Sequence, residues 1–128
     1  MTYYFSKTVA GAFDDAVDRT TAALKVEGFG IITQIDVQKT LQDKLGLTFR
    51  KYRILGACNP KLAFEALELE DKIGTMLPCN VVVQERIGGE IEIAAIDPLA
   101  SMQAVENPKL KEAAARVSEK LKMAIATL

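Results

Sequence analysis

The stretch Cys79-Asn80-Val81-Val82-Val83-Gln84-Glu85-Arg86-Ile87-Gly88-Gly89-Glu90-Ile91-Glu92-Ile93 decides the fold class. Three consecutive valines are strongly strand-forming, because a branched side chain is stiff at χ1 and packs well on a pleated surface. Gly88-Gly89 has the composition of a two-residue hairpin turn, in which the central residues take positive φ. Glu90-Ile91-Glu92-Ile93 alternates polar and apolar, so one face of this strand is wet and the other buried. A hairpin makes at least part of the sheet antiparallel, which points to an α+β domain.

Upstream, Thr2 to Val9 reads as a first strand. Phe13, Ala16, Val17, Thr20 and Leu24 follow at helical spacing, with Asp14 and Asp15 in the first turn and Gly28 as the stop. Ile31, Ile32, Ile35 and Val37 predict a second strand, and Asp36 caps a short helix carrying Val37, Leu41 and Leu45 and ended by Gly46. Tyr52 to Cys58 predicts a third strand. The helix after Asn59-Pro60 has Leu62, Ala63, Ala66 and Leu67 on one side and fades before Gly74. Downstream, Asp97-Pro98 turns the chain. A long amphipathic helix then starts at Asn107-Pro108 and places Leu110, Ala114, Val117, Leu121, Ile125 and Leu128 on one stripe.

The order β-α-β-α-β-α-β-β-α fits one domain over residues 1–128, a two-layer α+β sandwich with a largely antiparallel sheet backed by helices. A parallel, doubly wound arrangement of the first three strands is the alternative.

Sixteen basic against seventeen acidic residues, a net charge of -1, leave no excess to neutralise phosphates, so no nucleic-acid partner is expected. No apolar run approaches the roughly 20 residues of a membrane span, so no membrane partner is expected. The N-terminal Met-Thr-Tyr-Tyr-Phe-Ser-Lys lacks signal-peptide features, which predicts a cytoplasmic, reducing location. Histidine is absent, and with it the usual general base near neutral pH and the commonest metal ligand.

The chemistry that exceeds folding lies in two near-mirror settings, Cys58-Asn59-Pro60 and Pro78-Cys79-Asn80. Asn59-Pro60-Lys61-Leu62 recurs as Asn107-Pro108-Lys109-Leu110, where Glu106 stands in place of a cysteine. Asn as N-cap and Pro at the first helical position explain both copies as helix starts, which leaves only Cys58 unexplained. A thiol just before a helix N-terminus is expected to favour its thiolate. Cys79, on the same strand face as Val81 and Val83, is expected to be buried, with its pKa raised. The two thiols approach only if strands three and four are antiparallel neighbours. The bland alternative for each is a small buried hydrophobe.

The segments Tyr52-Arg53-Ile54-Leu55-Gly56-Ala57-Cys58-Asn59-Pro60 and Leu77-Pro78-Cys79-Asn80-Val81-Val82-Val83 resemble the prokaryotic domain-of-unknown-function family 302. Glu27-Gly28-Phe29-Gly30, Ile35-Asp36-Val37 and Asp97-Pro98 extend that resemblance over nearly the whole chain. It implies a TATA-binding-protein-like α+β fold and a homodimer, and no established activity. The functional expectation is a ligand-, metal- or redox-sensing module. Its candidate ligand or redox residues are Cys58, Cys79, Asn59 and Asn80, with Cys58 and Cys79 also the candidate ligands for a thiophilic metal. A thiol-dependent enzyme using Cys58, or a structural or interaction domain with buried cysteines, is the alternative. No cofactor is specified.

Overall fold

The computed structural model describes residues 2–128. Five strands form one sheet: β1 (Tyr4–Val9), β2 (Gly30–Asp36), β3 (Tyr52–Cys58), β4 (Cys79–Glu85) and β5 (Ile91–Ile96), in the order β1-β5-β4-β3-β2. Every neighbouring pair is antiparallel. The parallel alternative for the first three strands fails because β1 lies at one edge of the sheet, while β2 and β3 pair antiparallel at the other. Helix α1 (Phe13–Val26) links the two edges. Its fourteen residues extend about 21 Å at 1.5 Å per residue, enough to carry the chain back along the sheet so that β2 runs in the same direction as β1.

Alternation in the strands assigns the two faces. Val81 and Val83 of β4 and Ile91, Ile93 and Ala95 of β5 are buried at 1% exposure or less. They pack with Phe13, Ala16, Val17 and Leu24 of α1 and Leu121, Ala124 and Ile125 of the last helix, α5 (Pro108–Ala126). On the other face Tyr4, Ser6, Thr8 and Asn80 are exposed. The layers and the long closing helix are those expected.

Helix α2 (Val37–Leu45) begins at Asp36, whose carboxylate accepts the Lys39 N–H, and ends at Gly46 at φ 66°. It buries no residue and lies over β2 and β3. Helix α3 (Pro60–Leu69) gives way to a 3₁₀ turn over Asp71–Met76, as the fading helical pattern before Gly74 suggested. A second, smaller core joins Ala66 of α3, Ile73 of the 3₁₀ turn, Met102, and Leu110 and Ala114 of α5. Helix α5 thus serves both cores, one with each half.

Two local expectations change. The hairpin turn is longer than two residues: Arg86 N–H donates to the Glu90 carbonyl and Gly89 N–H to the Arg86 carbonyl, leaving Ile87, Gly88 and Gly89 as the loop. Gly88 and Gly89 have φ 98° and 87°, a region that a glycine enters without a Cβ clash. After Asp97-Pro98 the chain also forms a one-turn helix, α4 (Pro98–Ser101), capped by the Asp97 carboxylate accepting the Leu99 N–H.

Candidate functional site

Both copies of the repeated tetrapeptide start helices. Leu62 N–H donates to Asn59 Oδ1 at 3.3 Å, and Leu110 N–H donates to Asn107 Oδ1 at 3.2 Å. Each amide nitrogen also ties its helix to another element: Asn59 Nδ2 donates to the Glu27 carbonyl and Asn107 Nδ2 to the Leu69 carbonyl. Asn59 is therefore occupied at both ends of its amide, and its observed work is structural. Asn80 is exposed beside a shallow depression with Tyr52 and Gln84. Strand alternation directs it away from Cys79.

Strands β3 and β4 do pair antiparallel, and their register sets Ala57 opposite Cys79. Cys58 is one residue further on, opposite Gly30 of β2. The cysteines thus share one end of the sheet but are offset, and both remain free. The mirror symmetry in sequence does not produce a bonded pair. Among the described residues no group of three or more His, Cys, Asp and Glu is placed to hold a metal ion.

The two thiols differ in setting. Cys58 is half-buried, whereas Cys79 is 7% exposed. Burial, and secondarily repulsion from Cys58, push the Cys79 thiol up from 9.0 to about 11. It is a protonated thiol at physiological pH, as its strand position predicted.

What the cysteines share is a cavity of about 240 Å³ at the seam between the two cores. Phe29, Ala57 and Cys79 line it from the sheet side, and Ala66, Met102 and Leu110 from the helical side. Half-buried or exposed Ile32, Cys58, Leu77 and Pro78 form its rim. Among the described residues no charged side chain lines it, and the amide of Asn59 on its wall is already engaged. The volume exists because Ala57, Ala63, Ala66, Ala113 and Ala114 stand where larger apolar residues would meet. In the sequence Ala63, Ala66 and Ala114 read as members of apolar helix faces. Their recurrence on facing elements was the available signal, and only the tertiary arrangement reveals it.

An antiparallel sheet backed on one face by helices, with an apolar cavity between two small cores, defines this as a two-layer α+β domain. The chain belongs to the DUF302 family, "Domain of unknown function DUF302", whose family model matches residues 5–128. It is also similar to the crystal structure of an uncharacterized conserved DUF302 protein from Bacillus stearothermophilus. The two are 31% identical with a TM-score of 0.91 over 98% of each chain. No curated protein matches.

Proposed function

We propose that the protein is a binding module for a small, neutral, apolar molecule held in the cavity beside Cys58 and Cys79. The observation that carries this is a lining with no charged side chain and no unengaged amide among the described residues. An ionised ligand would lose its hydration there without a partner, at a cost of several kcal/mol. The volume, about 240 Å³, exceeds the roughly 150 Å³ of a dry engineered cavity that binds benzene. It falls short of the roughly 300–1,000 Å³ typical for drug-sized ligands. A single or fused pair of rings, or a short branched chain, matches that size.

The test is a titration of reduced protein with indole, toluene and cyclohexanone, followed by the methyl NMR signals of Ala63, Ala113 and Ala114. Saturable shifts confined to these and neighbouring methyls support the reading. Unchanged spectra with all three compounds sink it.

Metal and redox readings of the same cysteines have less support. Two thiolates suit a linear Cu(I) site, whereas zinc prefers four ligands, so a zinc site calls for donors from a second chain. A dithiol switch calls for an attacking thiolate, and Cys79 is held protonated. A homodimer is a separate proposal. The sheet face with exposed Tyr3 and Tyr4 and half-buried Tyr52 and Val82 favours it, and light scattering across a concentration series tests it.

A further inference from the structure

We infer that the cavity captures neutral, apolar α,β-unsaturated carbonyl compounds, with Cys58 Sγ at the rim adding to the β-carbon of the seated molecule. This rests on the apolar-ligand reading above and names the chemical class that the site would single out. Three observations converge on it. The cavity measures about 240 Å³ and, among the described residues, no charged side chain lines it. Its rim carries a half-buried thiol immediately before the capped N-terminus of α3. Its wall carries a second thiol, Cys79, which is 7% exposed and has no hydrogen-bond partner among the described residues.

The two thiols divide the work by position. Cys58 is reachable from solvent and borders the apolar volume, so a molecule anchored inside presents its conjugated carbon–carbon bond to that rim. Cys79 lies within the wall, where a protonated thiol offers a weak S–H donor to a carbonyl oxygen. In the addition, the Cys58 S–H proton leaves to solvent and the thiolate pair forms the S–C bond at the β-carbon. The π pair moves to give an enolate, and a proton returned from solvent to the α-carbon completes a thioether. Nothing is oxidised or reduced, and no further reactant enters. Confinement of electrophile and thiol in one pocket raises their effective concentration, which is the source of the selectivity.

The experiment compares 2-cyclohexen-1-one, an apolar acceptor, with acrylamide, a polar one, on reduced full-length protein, with N-acetylcysteine as the reference thiol. Intact-mass spectrometry follows adduct formation and peptide mapping locates it. The expected result is a cyclohexenone-to-acrylamide rate ratio at Cys58 about tenfold above that of N-acetylcysteine, the equivalent of one or two buried methylenes. The rate saturates with cyclohexenone, and its saturated analogue cyclohexanone slows it. Cys58→Ser removes the adduct, while Cys79→Ala slows its formation but leaves its position on Cys58. Circular dichroism of both variants confirms that they are folded.

A ratio equal to that of N-acetylcysteine overturns the capture. If cyclohexanone still shifts the cavity methyls in that case, ligand binding survives and only the covalent step falls. If cyclohexanone, indole and toluene all leave them unmoved, both readings fall together.

Discussion

At the scale of single residues, the neighbours of the cysteines turn out to be as constrained as the cysteines. Gly56 sits in the middle of β3, where an added Cβ would lie 2.1 Å from Thr33 Oγ1 and 2.8 Å from Pro78 Cγ. Thr33 has room to rotate at an exposed position, but the proline ring is fixed to its backbone. Gly56→Ala is therefore expected to destabilise the fold by about 1–3 kcal/mol through overpacking, read from the urea midpoint. A midpoint within error of the parent would show that Pro78 yields. Cys79 gives a prediction with a pH signature. Its folded pKa, about 11, lies above the ordinary 9.0, so the native state keeps a proton that the unfolded chain releases. The stabilisation is fully present below about pH 9 and is lost as pH climbs toward 11. Parent protein is expected to lose about 2 kcal/mol more than Cys79→Ala between pH 7 and about pH 10.5, measured by denaturant titration in reducing buffer. Parallel pH profiles for the two proteins would show that the thiol titrates as if exposed.

At the scale of elements, the helix starts were legible because capping is local. Asn-Pro at both tetrapeptides, Asp36 before α2 and the glycine after it fix boundaries from side chains a few residues apart. The stripe of α5 was legible for the same reason, being a periodicity within one segment. The one-turn α4 and the 3₁₀ turn carry too few residues for a periodic signal. The hairpin loop gained a residue because glycine content alone does not separate a two-residue from a three-residue connection. The sequence was also silent on what the cap asparagines do with their nitrogens. Asn107→Ala removes the α5 cap and leaves the Leu69 carbonyl without its donor, for an expected loss of about 1–3 kcal/mol. Asn107→Asp restores an acceptor for the Leu110 N–H and favourable charge at the helix start, but not the tie to Leu69. Chemical denaturation is expected to place it between the parent and the alanine variant. Equal stability of the two variants would mean that the tie, not the cap, carries the effect.

At the scale of the whole molecule, the site is a by-product of how two cores meet. The sheet core and the α3–α5 core share α5, and between them the facing positions are alanines, so packing is incomplete where Cys58 and Cys79 lie. This is why the cysteines were visible in the sequence while the cavity was not. A thiol is recognised from its own residue type, but a void depends on which small residues the topology sets face to face. Antiparallel pairing of β3 and β4 was one of two options in the sequence, and it brings both cysteines to the same end of the sheet. Filling the void separates packing from binding. Ala63 of α3 is half-buried on the cavity wall, so Ala63→Leu can extend into the open volume without displacing a buried backbone. The added apolar contact is expected to raise stability by about 1 kcal/mol, or roughly 3–5 °C in Tm. For the parent, a neutral ligand at 100 times its Kd contributes about 2.7 kcal/mol. In Ala63→Leu that ligand-induced rise disappears, because the same volume is already filled. Thermal scans of both proteins with and without indole decide the matter. A variant that is more stable yet still gains the full indole-dependent rise would place the bound molecule outside the cavity.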